Sequence, residues 1–209
     1  MARRTYDQFC PVATALDLLG ERWTLLVVRE LMLGPRRFTD LQAALPGLGT
    51  GLLAERLRQM VDAGLIKRSN EYTLTELGAT AAPVVRELAR FGAKLLDRPA
   101  SGAVFRPAAL ALHLAASLPA DLLRDVRESY ELRVDDTVVH IRIAQGAAVA
   151  RLGASPDPAD LTVDLDRDAF VALALRRTGL ADLVAAGRAT VTGPADVTAR
   201  AERLFRAPK

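Results

Sequence analysis

The sequence is poor in the residues that most often carry catalytic chemistry. It has one cysteine and two histidines among 209 residues, and the histidines, His113 and His140, stand alone. A single cysteine excludes an internal disulfide and fits a reducing compartment. Because there is no cluster at metal-ligand spacing, no phosphate-binding glycine loop and no nucleophile motif, the sequence indicates no metal, no cofactor and no enzyme.

Long apolar runs are also missing. No stretch of about 18 residues is apolar and free of charge, so no segment is expected to cross a membrane. The first residues, MARRTYDQF, lack the apolar core of a secretory signal. The sequence therefore predicts a cytoplasmic protein.

What is present is a globular composition with an uneven distribution of charge. Half of the residues are hydrophobic and 25% are charged, and a chain of this length is long enough for two domains. Residues 1–98 carry 14 Lys and Arg against 11 Asp and Glu, whereas residues 99–209 carry 14 of each. The positive excess lies in the first half, where it suits contact with phosphates, although ordinary solvated surfaces reach the same charge.

Residues 36–75 open with the pattern of a short helix. Phe38, Leu41 and Leu45 have the spacing of an amphipathic helix, with Thr39 as its cap and a Pro-Gly pair at its end. A second helix is predicted after this turn. Its apolar face runs within Gly49 to Ala63 and consists of Leu53, Leu57, Met60 and Val61.

Two short β-type runs follow the second helix. They cover residues 65–68 and 71–75, with Ser69-Asn70 as the turn between them. Helix, tight turn, helix and small hairpin together form a winged helix-turn-helix, whose second helix enters the major groove. Double-stranded DNA is therefore the expected partner.

The segments before this region predict two further helices. Pro11 begins the first, with Cys10 as its cap and Val12, Leu16 and Leu19 along one side. The segment from Trp23 to Leu33 is apolar nearly all round, which indicates a helix buried in the core.

A long helix is predicted from Glu76 to Asp97, with a kink at Pro83. Its apolar residues form a heptad seam, spaced three and four apart. The seam consists of Leu77, Ala81, Val84, Leu88, Phe91 and Leu95. It could lie on its own domain or against the same seam of a second subunit. We favour a homodimer, because one winged helix offers too little surface to cover the seam.

A series of short motifs accompanies these elements. They are Cys10-Pro11, Leu16 to Thr24 (LDLLGERWT), Arg36-Arg37-Phe38, Arg56-Leu57, Asp62 to Leu65 and Tyr72 to Gly78. Their order and spacing resemble the HxlR family of bacterial winged-helix regulators over about residues 8–98. This resemblance implies a DNA-binding transcriptional regulator.

Candidate base contacts lie on the side of the second helix opposite its apolar face. That side carries Thr50, Gly51, Ala54, Glu55 and Arg58. Arg58 could reach guanine or phosphate, and Thr50 or Ala54 could touch a thymine methyl group. Relatives carry longer polar residues where this sequence has Gly49 and Gly51. Few side chains are therefore available for direct base readout.

The other candidate contacts are basic. Arg36, Arg37 and Arg56 match motif positions of the family, and we expect them to hold phosphates. Arg56 could instead be the ion-pair partner of a nearby carboxylate. Lys67 and Arg68 flank a short wing, which argues against insertion into the minor groove.

Cys10 has two interpretations. It stands at a predicted helix start beside an arm that contains Arg3 and Arg4, where the helix dipole and cations favour a reactive thiolate. Some relatives sense oxidants at this position. A lone cysteine is, however, most often a small buried apolar residue.

The second half predicts an α+β domain, after a linker at 99–103. Alternating strands between Tyr130 and Leu152 form an antiparallel meander, and two more strands are predicted at 161–165 and 189–192. Helices are predicted at 107–116, 121–126, 167–175 (capped by Asp166), 180–186 and 195–205. Grouped strands followed by helices indicate an antiparallel sheet with helices on one face.

Part of this half also resembles a known family. The segments Thr178 to Leu180, Gly187 to Gly193 and Leu204-Phe205 are similar to the C-terminal half of a sterol carrier protein domain, over about residues 160–206. That resemblance implies a tunnel for a small apolar ligand between the sheet and the helices. Its expected lining includes Tyr130, Leu132, Phe170, Leu173 and Leu183. The alternative is a solid core.

The sequence thus predicts a homodimeric regulator on a near-palindromic operator. It would consist of a winged-helix domain at residues 1–98 and a sterol-carrier-like α+β domain at residues 105–209. The alternative is a protein that binds lipids or apolar metabolites and uses its winged helix only for assembly.

Overall fold

A computed structural model describes residues 5–96 and 104–207. The chain forms two compact units, Met1–Glu87 and Leu88–Lys209. The predicted linker at 99–103, the predicted helix end at Asp97 and the arm residues Arg3 and Arg4 lie outside the described residues. Within those residues, no helix is long and apolar enough to cross a membrane.

The first unit is a winged helix-turn-helix with additional helices. Its elements are α1 (Pro11–Leu19), α2 (Thr24–Met32), α3 (Phe38–Ala44), α4 (Thr50–Asp62), β1 (Ile66–Arg68), β2 (Tyr72–Leu74), α5 (Glu76–Ala79) and α6 (Ala82–Ala93), which continues past the boundary. As predicted, α2 is the core helix, since Val27 and Val28 are fully buried. The predicted pair of helices and hairpin corresponds to α3, α4, β1 and β2.

The wing is fixed to the helices through backbone contacts. β1 and β2 pair antiparallel, with Lys67 opposite Thr73. Arg36 adds a bridge, because its N–H donates to the Tyr72 carbonyl at 3.0 Å and its carbonyl accepts the Tyr72 N–H at 2.7 Å. A Cβ built on Gly78 would lie 1.9 Å from the Leu65 carbonyl oxygen. α5 therefore lies directly against the hairpin backbone.

Three details of the first unit differ from the prediction. The cap of α3 is Arg37 rather than Thr39, because the Asp40 carboxylate accepts the Arg37 backbone N–H at 2.9 Å and closes the first turn there. Val61 is exposed, since it lies about 100° around the helix from its buried neighbour. The buried residues of α4 are Leu53, Leu57 and Met60. In α1, only Ala13 is buried.

The predicted long helix is interrupted. α5 ends at Ala79, and α6 begins at Ala82. Proline has no N–H to offer the carbonyl four residues earlier, and its ring crowds that carbonyl. For Pro83 this carbonyl belongs to Ala79, so the helix stops there. The expected kink is therefore a break between two helices.

The second unit has the α+β architecture that the sequence predicts. Its elements are α7 (Pro107–Ser117), β3 (Glu128–Val134), β4 (Thr137–Ala144), β5 (Ala147–Leu152), β6 (Leu161–Leu165), α8 (Arg167–Ala174), α9 (Leu180–Ala185), β7 (Ala189–Thr192) and α10 (Ala195–Leu204). The strand order is β5-β4-β3-β6-β7. Asp166 caps α8 as predicted, since its carboxylate accepts the Ala169 N–H at 2.7 Å.

Two expectations about the second unit are corrected. The sheet is mixed rather than antiparallel, because residues 153–160 return the chain to the other end of the sheet and β6 pairs parallel with β3. Instead of a helix at 121–126 there is a single 3-10 turn, Ala120–Leu122. Leu123 and Val126 donate backbone bonds to the third residue before each, the 3-10 pattern.

The returning segment shields the part of one sheet face that carries Glu131 and His140, whereas Arg133, Arg142 and Asp164 on the same face stay exposed. Ser155 N–H donates to the Glu131 carboxylate at 3.2 Å, and His140 Nδ1 lies 3.0 Å from the Gly153 carbonyl oxygen. Glu131, which alternation predicts as outward and solvated, is therefore only 8% exposed, as is His140. Both polar side chains therefore have hydrogen-bond partners within the fold.

Candidate nucleic-acid interface

One face of α4 is free for contact with DNA. Leu53 and Leu57 bury the opposite face in the core of the first unit. Thr50, Gly51, Ala54 and Arg58 are all exposed. A Cβ built on Gly51 would meet no atom within 4 Å. The predicted base-contacting residues therefore share one open surface.

Arg58 is held by carboxylates of its own helix. Its guanidinium lies 2.8 Å from Glu55 and 3.2 Å from Asp62. The hydrogen bond from Arg58 lowers the pKa of the Glu55 carboxyl, and the same contact raises the pKa of Arg58. Exposed pairs of this kind are weak, so Arg58 can exchange its partners for a guanine or a phosphate.

Arg36 and Arg37 differ in access although they are neighbours. Arg37 is exposed, and its Nε lies 3.7 Å from a Glu71 carboxylate oxygen. Arg36 is half-buried, and its Nη2 is shielded from solvent with no hydrogen-bond partner among the described residues. Arg37 is therefore the better placed of the two for a phosphate.

Arg56 does not share the free face of α4. Its side chain is 11% exposed, and its guanidinium donates to Glu21 at 3.1 Å and to Gln59 at 2.8 Å. This geometry fits the structural ion pair rather than the expected phosphate contact. Sequence reasoning missed Glu21 and Gln59 as its partners. The signal available was the spacing of Arg56 and Gln59, three residues apart on one helix.

The wing carries two exposed cations. Lys67 and Arg68 both lie on β1, and Arg68 stacks over the Tyr72 ring at 5.5 Å from its centroid. Each wing strand is three residues long. The wing is therefore short, as expected, and its cations lie near the hairpin turn.

Cys10 is the backbone cap of α1 and is partly exposed. The interpretation as a fully buried apolar residue therefore does not hold.

The heptad seam is exposed in the single chain. Leu77, Val84, Leu88, Phe91 and Leu95 have between 44 and 69% of their surface accessible, and only Ala81 is buried. On α1, Val12 and Leu16 are exposed as well. Exposed apolar surfaces of this kind are typical of interaction sites.

The five residues expected to line an apolar pocket lie together in a closed core. Tyr130, Leu132, Phe170, Leu173 and Leu183 are all buried in one cluster. Burial raises the pKa of Tyr130, and the Tyr130 hydroxyl donates to the Glu128 carboxylate. A cleft of about 360 Å³ lies elsewhere, with a polar lining that includes Arg133, Asp135, Asp164, Asp166 and Arg188.

Known proteins match the two halves separately. Residues 18–100 match the family described as HxlR-like helix-turn-helix, and residues 105–209 match the alkyl sulfatase C-terminal family. The HTH-type transcriptional regulator YvaP of Bacillus subtilis is 34% identical over 100 residues, which cover 44% of this chain and 93% of YvaP. The HTH-type regulator sll1512 of Synechocystis is 38% identical over 97 residues, 43% of this chain and 72% of that protein.

Solved structures also match the first half. Quinone-bound YodB from B. subtilis shows 34% identity and a TM-score of 0.38, and the match covers 41% of this chain and 99% of that one. The matching relatives are named transcriptional regulators rather than enzymes. The chain belongs to the HxlR-like helix-turn-helix family of transcriptional regulators, and its second half belongs to the alkyl sulfatase C-terminal family.

Proposed function

We propose that this regulator is a homodimer that binds a near-palindromic operator through two copies of α4. The observation that carries the proposal is the open face of α4, where Thr50, Gly51, Ala54 and Arg58 lie opposite a buried stripe. Arg58 would contact a guanine, and Arg37 a phosphate. Half-sites would lie about one helical turn apart, or a small multiple of it. A protein with this function would work in the cytoplasm, where the DNA is.

The exposed heptad seam supports the dimer. Four of its exposed residues, Val84, Leu88, Phe91 and Leu95, follow one another every three or four positions, which is the spacing of a packed helix pair. Val84, Leu88 and Phe91 lie on α6, and a second copy of α6 offers the same pattern and could bury these three at once. The seam would thus set the separation of the two recognition helices.

Selection of bound duplexes from a random pool tests this function. We expect enrichment of a two-fold symmetric site, with protection on successive turns of the major groove. If no duplex is enriched and none binds at moderate salt, the winged helix serves assembly only. The alternative function, binding of lipids or apolar metabolites, would then be the better description.

We further propose that the second unit binds an apolar effector. The match to the alkyl sulfatase C-terminal family, the sequence resemblance to sterol carrier domains and the apolar cluster around Tyr130 and Phe170 support this. Because the cluster is closed, a ligand would enter by displacing α8 or α9 from the sheet. Binding would depend on buried apolar area rather than on a headgroup.

Thermal unfolding of the full chain tests the effector. An excess of decanoate or decanol should raise the melting temperature by mass action. It should also change operator affinity, since the two events would be linked. No shift with any apolar compound would make the second unit a spacer or dimer clamp.

A further inference from the structure

A continuous series of hydrogen bonds crosses α4 from its free face to its far side. Arg58 donates to the Glu55 carboxylate at 2.8 Å, and the Gln59 amide donates to the same carboxylate at 2.6 Å. The Gln59 side-chain oxygen accepts from Arg56 at 2.8 Å, and Arg56 also donates to Glu21 at 3.1 Å. The last residue lies outside α4, in the turn between α1 and α2.

Arg56 is the most shielded of the charged residues in this series. Its side chain is 11% exposed, and its Nε is buried with no partner among the described residues. A cation with so little access to water depends on its carboxylate, because removal of one partner leaves a charge that is poorly solvated. Glu21 therefore fixes Arg56, Arg56 fixes the Gln59 amide, and Gln59 fixes the carboxylate that holds Arg58.

The turn that carries Glu21 is itself held in an unusual conformation. Trp23 has φ +80°, a left-handed value that is costly for a residue with a large side chain. A Cβ built on Gly47, in the turn between α3 and α4, would lie 3.9 Å from the Trp23 ring. The turn between α1 and α2 thus lies close to the helix-turn-helix turn and contacts α4 through Glu21.

We propose that Glu21, Arg56 and Gln59 are positioning residues for DNA recognition, and that Glu21 determines base discrimination without touching DNA. This inference rests on the proposed operator binding. With the series intact, the Glu55 carboxylate keeps one orientation, and Arg58 approaches the groove from one rotamer. Without the series of hydrogen bonds, the Glu55 carboxylate can turn together with Arg58. The Arg58 guanidinium then binds phosphates and several base edges alike.

The test compares base discrimination rather than affinity alone. Binding of the full-length Glu21→Gln variant is measured on a selected operator and on the same operator altered at the base pair that Arg58 reads. We expect the ratio of the two affinities to fall about threefold to tenfold. Glu76→Gln removes the same charge from an exposed position with no side-chain contact among the described residues, and it should leave the ratio unchanged.

Two further variants separate positioning from a structural role. Gln59→Met keeps the Glu21–Arg56 pair and the volume but breaks the series, so it should lower the same ratio even if Glu21→Gln folds poorly. Combining Arg58→Ala with Glu21→Gln should cause no further loss of discrimination. Equal weakening of all duplexes, or an unchanged ratio in Gln59→Met, would overturn the inference while operator binding stands. If the unaltered protein selects no operator at all, the proposed function fails first.

Discussion

At the scale of the residue, three arginines of the winged helix differ in how strongly a carboxylate holds them. Arg37, Arg56 and Arg58 lie 3.7, 3.1 and 2.8 Å from carboxylate oxygens. Arg37 and Arg58 are exposed, so water screens their pairs and phosphates can replace them. Arg56 is shielded, and exchange there would leave Glu21 without its partner. Similar residues in one motif series therefore have different roles.

Arg58→Ala should relax base discrimination, whereas Arg37→Ala should not. If Arg58 contacts a guanine through two hydrogen bonds, its loss should cost about 1–3 kcal/mol at one base pair. Arg37→Ala should weaken every duplex by the same factor, because a phosphate contact carries no sequence information. Affinities for a set of operators with single base-pair changes distinguish the two. Uniform loss in both variants would assign specificity to DNA shape.

Asp166 provides a second test at this scale, in the second unit. Its carboxylate caps α8 and pairs with Arg188, and these bonds lower its pKa. Asp166→Ala should lower the free energy of unfolding by about 1 kcal/mol at pH 7, whereas Asp166→Asn should retain most of the cap. The ion pair is exposed, so its share is small.

The contribution of Asp166 should depend on pH with a definite sign. A lowered pKa means that the folded state favours the carboxylate, so the stabilisation is present above the ordinary pKa of an aspartate. It is lost as the pH falls through the lowered value. Urea unfolding at pH 7 and at about pH 3 should therefore show a difference between wild type and Asp166→Ala that shrinks in acid. A constant difference would mean that the charge plays no part.

Local sequence signals predicted the capping residues of helices better than the partners of ion pairs. Asp166 caps α8 as the sequence predicts, and Thr75 caps α5 in the same way by accepting the Gly78 N–H. Each of these hydrogen bonds joins residues three positions apart, so a short stretch of sequence contains both partners. Arg56 and Glu21 are 35 residues apart. Their contact depends on how α4 lies against the preceding turn, which no local pattern specifies.

At the scale of the element, two glycines differ in how closely other backbone atoms approach them. Gly78→Ala should destabilise the first unit by about 1–3 kcal/mol or more, because the new Cβ would collide with the Leu65 carbonyl. Gly51→Ala is the matched control, since its Cβ would meet open space within a helix. It should stabilise by about 0.5–1 kcal/mol. Denaturant unfolding measures both, and equal effects would contradict this view of the wing.

α6 provides the test of the dimer. Leu88 is half-exposed in the single chain, so Leu88→Asp should still fold, but the charge would be buried against a second copy. We expect a folded monomer by sedimentation and loss of operator binding. Leu122→Asp changes a comparably exposed leucine outside the seam and should remain dimeric. A normal Leu88→Asp dimer would move the interface to α1, around Leu16.

Periodicity predicted most elements and the antiparallel meander of β3, β4 and β5, but not the pairing of β6. Strands β3 to β5 and helices α8 to α10 lie close to their expected positions, because alternation and helical spacing are written in consecutive residues. The parallel pairing of β3 with β6 cannot be read from consecutive residues. It arises from the path of residues 153–160, which has no regular period, and the same path buries Glu131.

At the scale of the whole molecule, DNA affinity should depend on the number of exposed cations. Arg37, Arg58, Lys67 and Arg68 are exposed on each copy. A dimer that neutralises about six to eight phosphates should show log K falling against log salt with a slope of roughly −5 to −7. If Arg56 also bound phosphate in both subunits, the slope would steepen by about 2. Titrations between low and moderate salt measure it, and a slope near zero would exclude electrostatic binding.

The parallel pairing at the centre of the second sheet also orders events during synthesis. β3 pairs with β4 as soon as β4 emerges, and β5 then pairs with β4, but the other edge of β3 stays open until β6 follows, about thirty residues after the end of β3. At about 5–20 residues per second, the nascent chain would carry a bare strand edge for roughly two to six seconds. During that interval neighbouring chains on one messenger could pair with it. Slow translation of residues 135–165 should therefore lower the yield of native protein more than slow translation elsewhere.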